Sequence, residues 1–251
     1  MQTTLHIEPS VKPLFAGQEL DSFDALMKRG AGKIQRMVLN DGSKFYLKRS
    51  GKEPLVKHLR ALLCGQCPRS ATLRERLLLQ RLRSSGFLAM EPVAWGERRQ
   101  LGLPACGFLV VREVAGQEVA ELFDQADGWE KRVLMEDAGR LIGRLHAKGF
   151  FHPVRLKDLI HTEGGMVLID RETSKPRRSL FLKKKCLVSL ARAVRRTVRD
   201  GHRIGAESAW AFLRGYRQGV VSRWKVPSIE LSRLVFGAVR KEISNQMRPA
   251  R

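Results

Sequence analysis

Apolar positions recur with a period of two in the first part of the chain and with a period near 3.6 later, which predicts strands followed by helices. Lys33–Leu39, the turn Asn40-Asp41-Gly42-Ser43 and Lys44–Lys48 form a hairpin pattern. Ser70–Arg83 reads as a helix, with Ser70 and Thr72 as cap candidates and Glu75, Leu78, Leu79 and Leu82 on one face. Between them, residues 53–69 predict a short helix around Val56–Leu63 and a loop centred on Pro68. Pro92–Trp95 reads as a strand and Glu97–Gln100 as a basic turn. The apolar run Gly107–Val111 follows, ending in Arg112-Glu113-Val114. Trp129–Lys148 keeps helical spacing up to Gly149, a natural stop. A strand, Met166–Ile169, ends at Asp170, and helices are expected over Cys186–Val198, Glu207–Gly219 and Ile229–Ile243. Sheet first and helices last predict an α+β protein of two lobes, residues 1–113 and 114–251.

Composition narrows the class. A chain of 251 residues with 43% hydrophobic and 29% charged residues is globular, not disordered, collagenous or a disulfide scaffold. No apolar run approaches the roughly 18–20 residues of a membrane span. The start, MQTTLHIEPSVKP, lacks the basic and apolar regions of a secretory signal, so a cytoplasmic protein is expected. Cys64 and Cys67 form a C-x-x-C without a second pair or a histidine pair at zinc spacing, and incidental reduced thiols are the simpler reading.

Charge changes the picture. A formal charge of +22 implies an anionic partner. The surplus is uneven: Arg171 to Arg199 holds eleven Lys/Arg and one acid, Glu172. Within it, Arg192, Arg195, Arg196 and Arg199 fall at i, i+3, i+4 and i+7, opposite Leu187, Leu190, Ala191, Val194 and Val198. Like-charge repulsion disfavours such a stripe unless an anion visits. Phosphorylated glycolipids and an anionic membrane surface are such partners, which predicts peripheral association by charge with no inserted helix. Two tyrosines, 7% aromatics and no recognition motif argue against specific nucleic-acid binding.

Phosphoryl transfer from ATP needs a strand lysine for the phosphates, a helix glutamate to orient it, Mg²⁺ ligands and a base near the attacking hydroxyl. The chain offers these in order. Lys48 ends a strand pattern, Glu75 lies on the next long helix, and Asp170 ends a short apolar strand after a histidine-containing loop. The glycines of Arg29-Gly30-Ala31-Gly32-Lys33 precede Lys48, where a phosphate-covering loop belongs.

These residues resemble the lipopolysaccharide kinase (Kdo/WaaP) family from about Gly30 to about Gln218. The marks are Phe45-Tyr46-Leu47-Lys48-Arg49, Arg74-Glu75-Arg76-Leu77, Glu91–Glu97, Leu145–His152, Leu168-Ile169-Asp170-Arg171 and Phe212-Leu213-Arg214-Gly215-Tyr216. The resemblance implies a protein-kinase-like fold that uses ATP and Mg²⁺ to phosphorylate a sugar, heptose or Kdo, of the lipopolysaccharide inner core. The location it implies is peripheral on the inner face of the inner membrane. By it, Lys48 is the phosphate-binding lysine, Glu75 its ion-pair partner and Asp170 the Mg²⁺-binding aspartate. Arg112-Glu113-Val114 is then the hinge that binds adenine through its backbone.

The catalytic loop departs from the family, whose members carry His, then Arg or Pro, then the catalytic Asp. This chain reads His152-Pro153-Val154-Arg155-Leu156-Lys157-Asp158. Without a gap, Val154 stands at the base position and Leu159 at the metal-ligand position. With one deletion, Asp158 becomes the second Mg²⁺ ligand, and a remodelled loop would bring it to the acceptor hydroxyl. Neither alignment puts an Asp at the base position. Two readings stay open: a kinase with Asp158 and His152 in the catalytic loop, or a pseudokinase kept as a binding or regulatory module. In the plainer alternative, His152 is a structural histidine and Asp158 a solvated loop acid.

Overall fold

The computed structural model describes residues 1–28, 33–169, 182–220 and 228–246. The chain forms two compact units, one over Met1–Val114 and the other over Ala115–Ile169 and the later helices.

In the first unit the order is β1 (Gln2–Ile7), α1 (Lys12–Ala16), α2 (Phe23–Lys28), β2 (Ile34–Val38), β3 (Lys44–Ser50), α3 (Leu55–Leu63), α4 (Ala71–Ser84), β4 (Pro92–Gln100) and β5 (Leu103–Arg112). The five strands make one antiparallel sheet, β1-β4-β5-β3-β2. Strand alternation sorts its side chains. Phe45 and Leu47 of β3, with Phe108 and Val110 of β5, join Phe15, Phe23 and Leu26 of α1 and α2 in one buried core. The opposite face of β3 is left to Tyr46, Lys48 and Ser50, and there α4 packs, burying Leu78, Leu79 and Leu82. β5 is covered on both faces, which explains its continuous apolar run.

One expectation is corrected. Glu97–Gln100 is not a turn: β4 runs through Gln100, and the chain reverses at Leu101 and Gly102, both at positive φ. The charged residues persist in the strand because they are paired, Glu97 with the Ser70 N–H and Arg99, and Arg98 with Asp24. The N-terminal residues form an edge strand on β4, and its exposed, polar face gave no apolar alternation to read.

The second unit contains β6 (Gln117–Glu118), α5 (Val119–Gln125), α6 (Gly128–Ala147), β7 (Leu159–Thr162), β8 (Gly165–Leu168), α7 (Leu182–Arg199), α8 (Ala206–Val220) and α9 (Ser228–Gln246). A capping box starts α6: the Asp127 carboxylate accepts from the Trp129 and Glu130 N–H groups, and Glu130 accepts from the Asp127 N–H. The small strands pair in the order β6-β7-β8. The central packing is α6 on α8, where a Cβ on Gly139, Gly143, Gly215 or Gly219 would collide with the facing helix backbone.

Candidate functional site

Lys48 and Glu75 meet. Lys48 is paired with Leu109 in the sheet and points to the α4 face, where its Nζ donates to Glu75 Oε1 at 2.6 Å. Only 8% of Lys48 and 6% of Glu75 is exposed. The strand and the helix are locked to one another one step away. Ser50, two residues along β3 and on the same face as Lys48, shares a hydrogen bond with Thr72, one turn before Glu75 on α4. Ser70 caps α4, its Oγ accepting from the Leu73 N–H, and its own N–H donates to the buried carboxylate of Glu97 at 2.6 Å. Gly107 permits this approach, because a Cβ there would sit 2.7 Å from Ser70 Oγ and 2.9 Å from Thr72 Oγ1. Sequence reasoning found the pair but missed this support. The only signal was small hydroxyl residues at i+2 from Lys48 and i−3 from Glu75.

Glu113 and Val114 follow β5. The Glu113 N–H donates to Lys44 O at 2.9 Å, and its carboxylate accepts from Arg36 at 3.0–3.2 Å and from the Tyr46 hydroxyl. Burial, and then the Glu113 charge, raise the Tyr46 phenol above its ordinary pKa. The expected hinge residue thus also has a side-chain role, fastening the end of β5 to β2 and β3.

In the second unit, the loop after α6 leads through a short 3₁₀ turn, Leu156–Asp158, into β7. Asp158 is buried, and Arg155 encloses it. Oδ2 accepts from the Arg155 backbone N–H at 2.9 Å, and Oδ1 from Nη2 at 2.7 Å. Nε lies 3.1–3.2 Å from both oxygens. The main chain of Asp158 is tied to the end of β8, its carbonyl accepting from the Ile169 N–H at 2.9 Å. Asp200 approaches the same turn, with Oδ2 3.1 Å from Lys157 Nζ. Sequence reasoning missed Arg155, since the i, i+3 pair lies in a loop where no periodicity marks it. Glu118 stands near Asp158, and its carboxyl is raised first by burial and then by the Glu121 charge.

Val154 is buried and lines an apolar cavity with Met135, Leu159, Leu190 and Phe212. His152 is half-buried. Gly30, Gly32 and Asp170 lie outside the described residues. On α7, Arg192, Arg195, Arg196 and Arg199 are exposed while Leu190, Val194 and Val198 are buried. None of the four arginines pairs with an acid among the described residues.

Donor chemistry separates the two groups the resemblance implies. The buried ammonium of Lys48, oriented by Glu75, fits a nucleotide phosphate. The described residues do not by themselves fit Mg²⁺: no cluster of acids, histidines or cysteines among them could hold a metal, and Arg155 fills both oxygens of Asp158.

A family model described as "Lipopolysaccharide kinase (Kdo/WaaP) family" matches residues 15–216. Among solved structures, the chain is similar to WaaP in complex with acyl carrier protein, with a TM-score of 0.61 and 22% identity over 96% of this chain and 98% of that one. It is also matched to a glucosamine kinase in complex with glucosamine, ADP and inorganic phosphate, with a TM-score of 0.45 and 11% identity over 96% of this chain and 74% of that one. The bifunctional kinase-methyltransferase WbdD gives a TM-score of 0.39 and 16% identity over 83% of this chain and 43% of that one. Comparison with curated proteins finds no match. The fold is α+β and protein-kinase-like, with a five-stranded antiparallel sheet.

Proposed function

Since the chain belongs to the lipopolysaccharide kinase (Kdo/WaaP) family, we propose that it transfers the γ-phosphoryl group of ATP to a sugar hydroxyl, of heptose or Kdo, in the lipopolysaccharide core. The observation that carries this reading is the buried Lys48–Glu75 pair at 2.6 Å. A charge pair removed from water returns little stability over an apolar pair of the same size, so its presence favours a use, and a polyphosphate is the anion such a lysine holds. In this reading Glu75 keeps the ammonium aimed at the phosphates, and the backbone at Glu113 and Val114 holds adenine. Asp158 and His152 serve the acceptor side. Mg²⁺, when bound, neutralises phosphate charge, and Asp170 is the residue assigned to it. Titration of ATP with and without Mg²⁺ into wild type, Lys48→Ala and Asp170→Ala tests the nucleotide site. Phosphate transfer to a lipid-linked core acceptor tests the activity.

A second reading, a pseudokinase acting as a binding module in core assembly, is favoured by one observation. The position aligned with the catalytic base, Val154, is packed into an apolar interior, and the nearest alternative carboxylate, Asp158, is already held by Arg155. Nucleotide binding without turnover on any core acceptor supports it.

The exposed arginines of α7 are assigned to an anionic partner, the phosphorylated glycolipid or the anionic inner-membrane surface. The acyl carrier protein seen with WaaP is a further candidate partner. Co-purification of acyl carrier protein with the chain tests that partner.

A further inference from the structure

On α3, the side chains that face water are the ones a surface helix ordinarily buries. At 100° per residue, Leu62, Leu55, Leu59, Leu63 and Val56 fall on one arc of about 120°. Their exposures are 51%, 57%, 49%, 89% and 74%. The one side chain that α3 buries is a histidine, His58, whose Nε2 has no hydrogen-bond partner among the described residues. The helix is held in this orientation from its start. Glu53, just before it, accepts both Arg74 nitrogens of α4 at 2.7 and 2.8 Å, and accepts from Lys57 Nζ at 3.1 Å. A contiguous apolar arc of this kind on a monomer's surface marks a contact with something less polar than water.

We propose that α3 is an in-plane membrane anchor whose leucine arc inserts shallowly into an anionic lipid bilayer. Charge selects this occupant. Glu53 is the only acid from Gly51 to Arg69, and Arg74 and Lys57 neutralise it. Arg60, next to the arc on the helix, and Lys52, just before the helix, are exposed. Leucines flanked by cations are the composition of interfacial helices, whose binding adds buried apolar area to attraction for anionic headgroups. A second copy of this chain, at +22, meets the same cations and is repelled. Nine residues are far too few to cross a bilayer, and no described helix is long and apolar enough to do so, so the anchor lies in the interface. The inference goes beyond phosphoryl transfer and stands whether or not the chain is catalytic. It adds an apolar contact to the expected association by charge.

The test uses the full chain and vesicles of phosphatidylglycerol with phosphatidylethanolamine, against vesicles of phosphatidylcholine alone. Co-sedimentation is read for wild type and for Leu59→Gln/Leu63→Gln, both exposed positions whose change leaves the core intact. An environment-sensitive fluorophore on Val56→Cys, an exposed position of the arc, in a Cys64→Ser/Cys67→Ser background, reports burial in lipid. The expected result is binding to the anionic vesicles with a blue shift of the fluorophore, and affinity lowered about tenfold or more by the double substitution. Arg192→Gln/Arg196→Gln is expected to weaken binding at low salt yet keep the blue shift. Unchanged affinity in the leucine variant, or no blue shift on binding, overturns the proposal. So does a lipid-free dimer of wild type that the leucine variant abolishes, since the arc would then belong to a second copy.

Discussion

Lys48 of β3 and Glu75 of α4, far apart along the chain, form a 2.6 Å ion pair sealed from water on one face of the five-stranded sheet. Ser50 and Thr72 fix the strand to the helix beside it, so the ammonium is held by a scaffold of hydrogen bonds rather than by the pair alone. Removing one partner strands a charge in the interior, whereas removing both in favour of apolar side chains of similar size costs little.

That asymmetry separates a structural pair from a nucleotide site. Lys48→Ala or Glu75→Ala is expected to lower unfolding stability by about 3–5 kcal/mol, and Lys48→Met/Glu75→Leu to recover most of that loss. The double variant is nonetheless expected to lose ATP affinity, as measured by calorimetric titration. Nucleotide affinity equal to wild type in a stable double variant would reduce the pair to a packing element.

The helices α6 and α8 predict a second outcome. Gly139 and Gly143 on one, and Gly215 and Gly219 on the other, leave backbone against backbone. Flanking pairs such as Arg140–Gln218 close the edges of the contact. A methyl group at Gly139 or Gly215 meets rigid backbone that cannot step aside. Gly139→Ala and Gly215→Ala are expected to cost at least about 3 kcal/mol, at the upper end of overpacking effects, with a matching fall in the denaturant midpoint. Gly128→Ala, where nothing lies within 4 Å, serves as the control and is expected to be near neutral.

These glycines also show what sequence reading reaches and what it misses. Glu75 was legible because it shares a helical period with Leu78, Leu79 and Leu82, and Lys48 because Phe45 and Leu47 alternate against it. The four glycines were passed over because glycine in a helix reads as a weak point, although the i, i+4 spacing on two helices was there to see. The charged run Glu97–Gln100 was misread as a turn. Its place in a strand depends on partners, Ser70 and Asp24, that only the fold brings near. Arg155 and Asp158 lie in a loop with no period at all, and the inverted face of α3 was invisible because a helical pattern does not say which side meets the core. Gly30, Gly32 and Asp170, named from the sequence, lie outside the described residues.

Glu53 gives a pH prediction with a definite sign. The Arg74 guanidinium hydrogen-bonded to it, aided by Lys57, holds its carboxyl down to about 2. A group depressed on folding contributes stability that is present above its unfolded pKa, near 4.5, and lost as pH falls toward 2. Because the site is partly open to solvent, the contribution is on the order of 1 kcal/mol. Urea unfolding of wild type and Glu53→Gln should therefore differ by that amount from pH 5 to 7 and converge between about pH 4.5 and pH 2. A difference that persists at pH 2 would assign the effect to packing instead of charge.

Asp158 is the residue on which the two functional readings part. Its carboxylate is enclosed by Arg155 and its main chain is bonded to Ile169, so it serves structure whatever else it does. Asp158→Asn turns one acceptor oxygen into a donor facing the Arg155 fork, and an unfolding cost of about 2–4 kcal/mol is expected in either reading. In a kinase, turnover on the core acceptor should fall about 10²-fold or more with ATP affinity unchanged, at a temperature where the variant remains folded, because the lost carboxylate acts on the acceptor hydroxyl. Arg155→Lys keeps the charge and loses the fork, and so should cost stability with a smaller loss of turnover. If turnover instead tracks the folded fraction through both variants, Asp158 only shapes the loop, and whatever transfer occurs proceeds by positioning and charge stabilisation without a base.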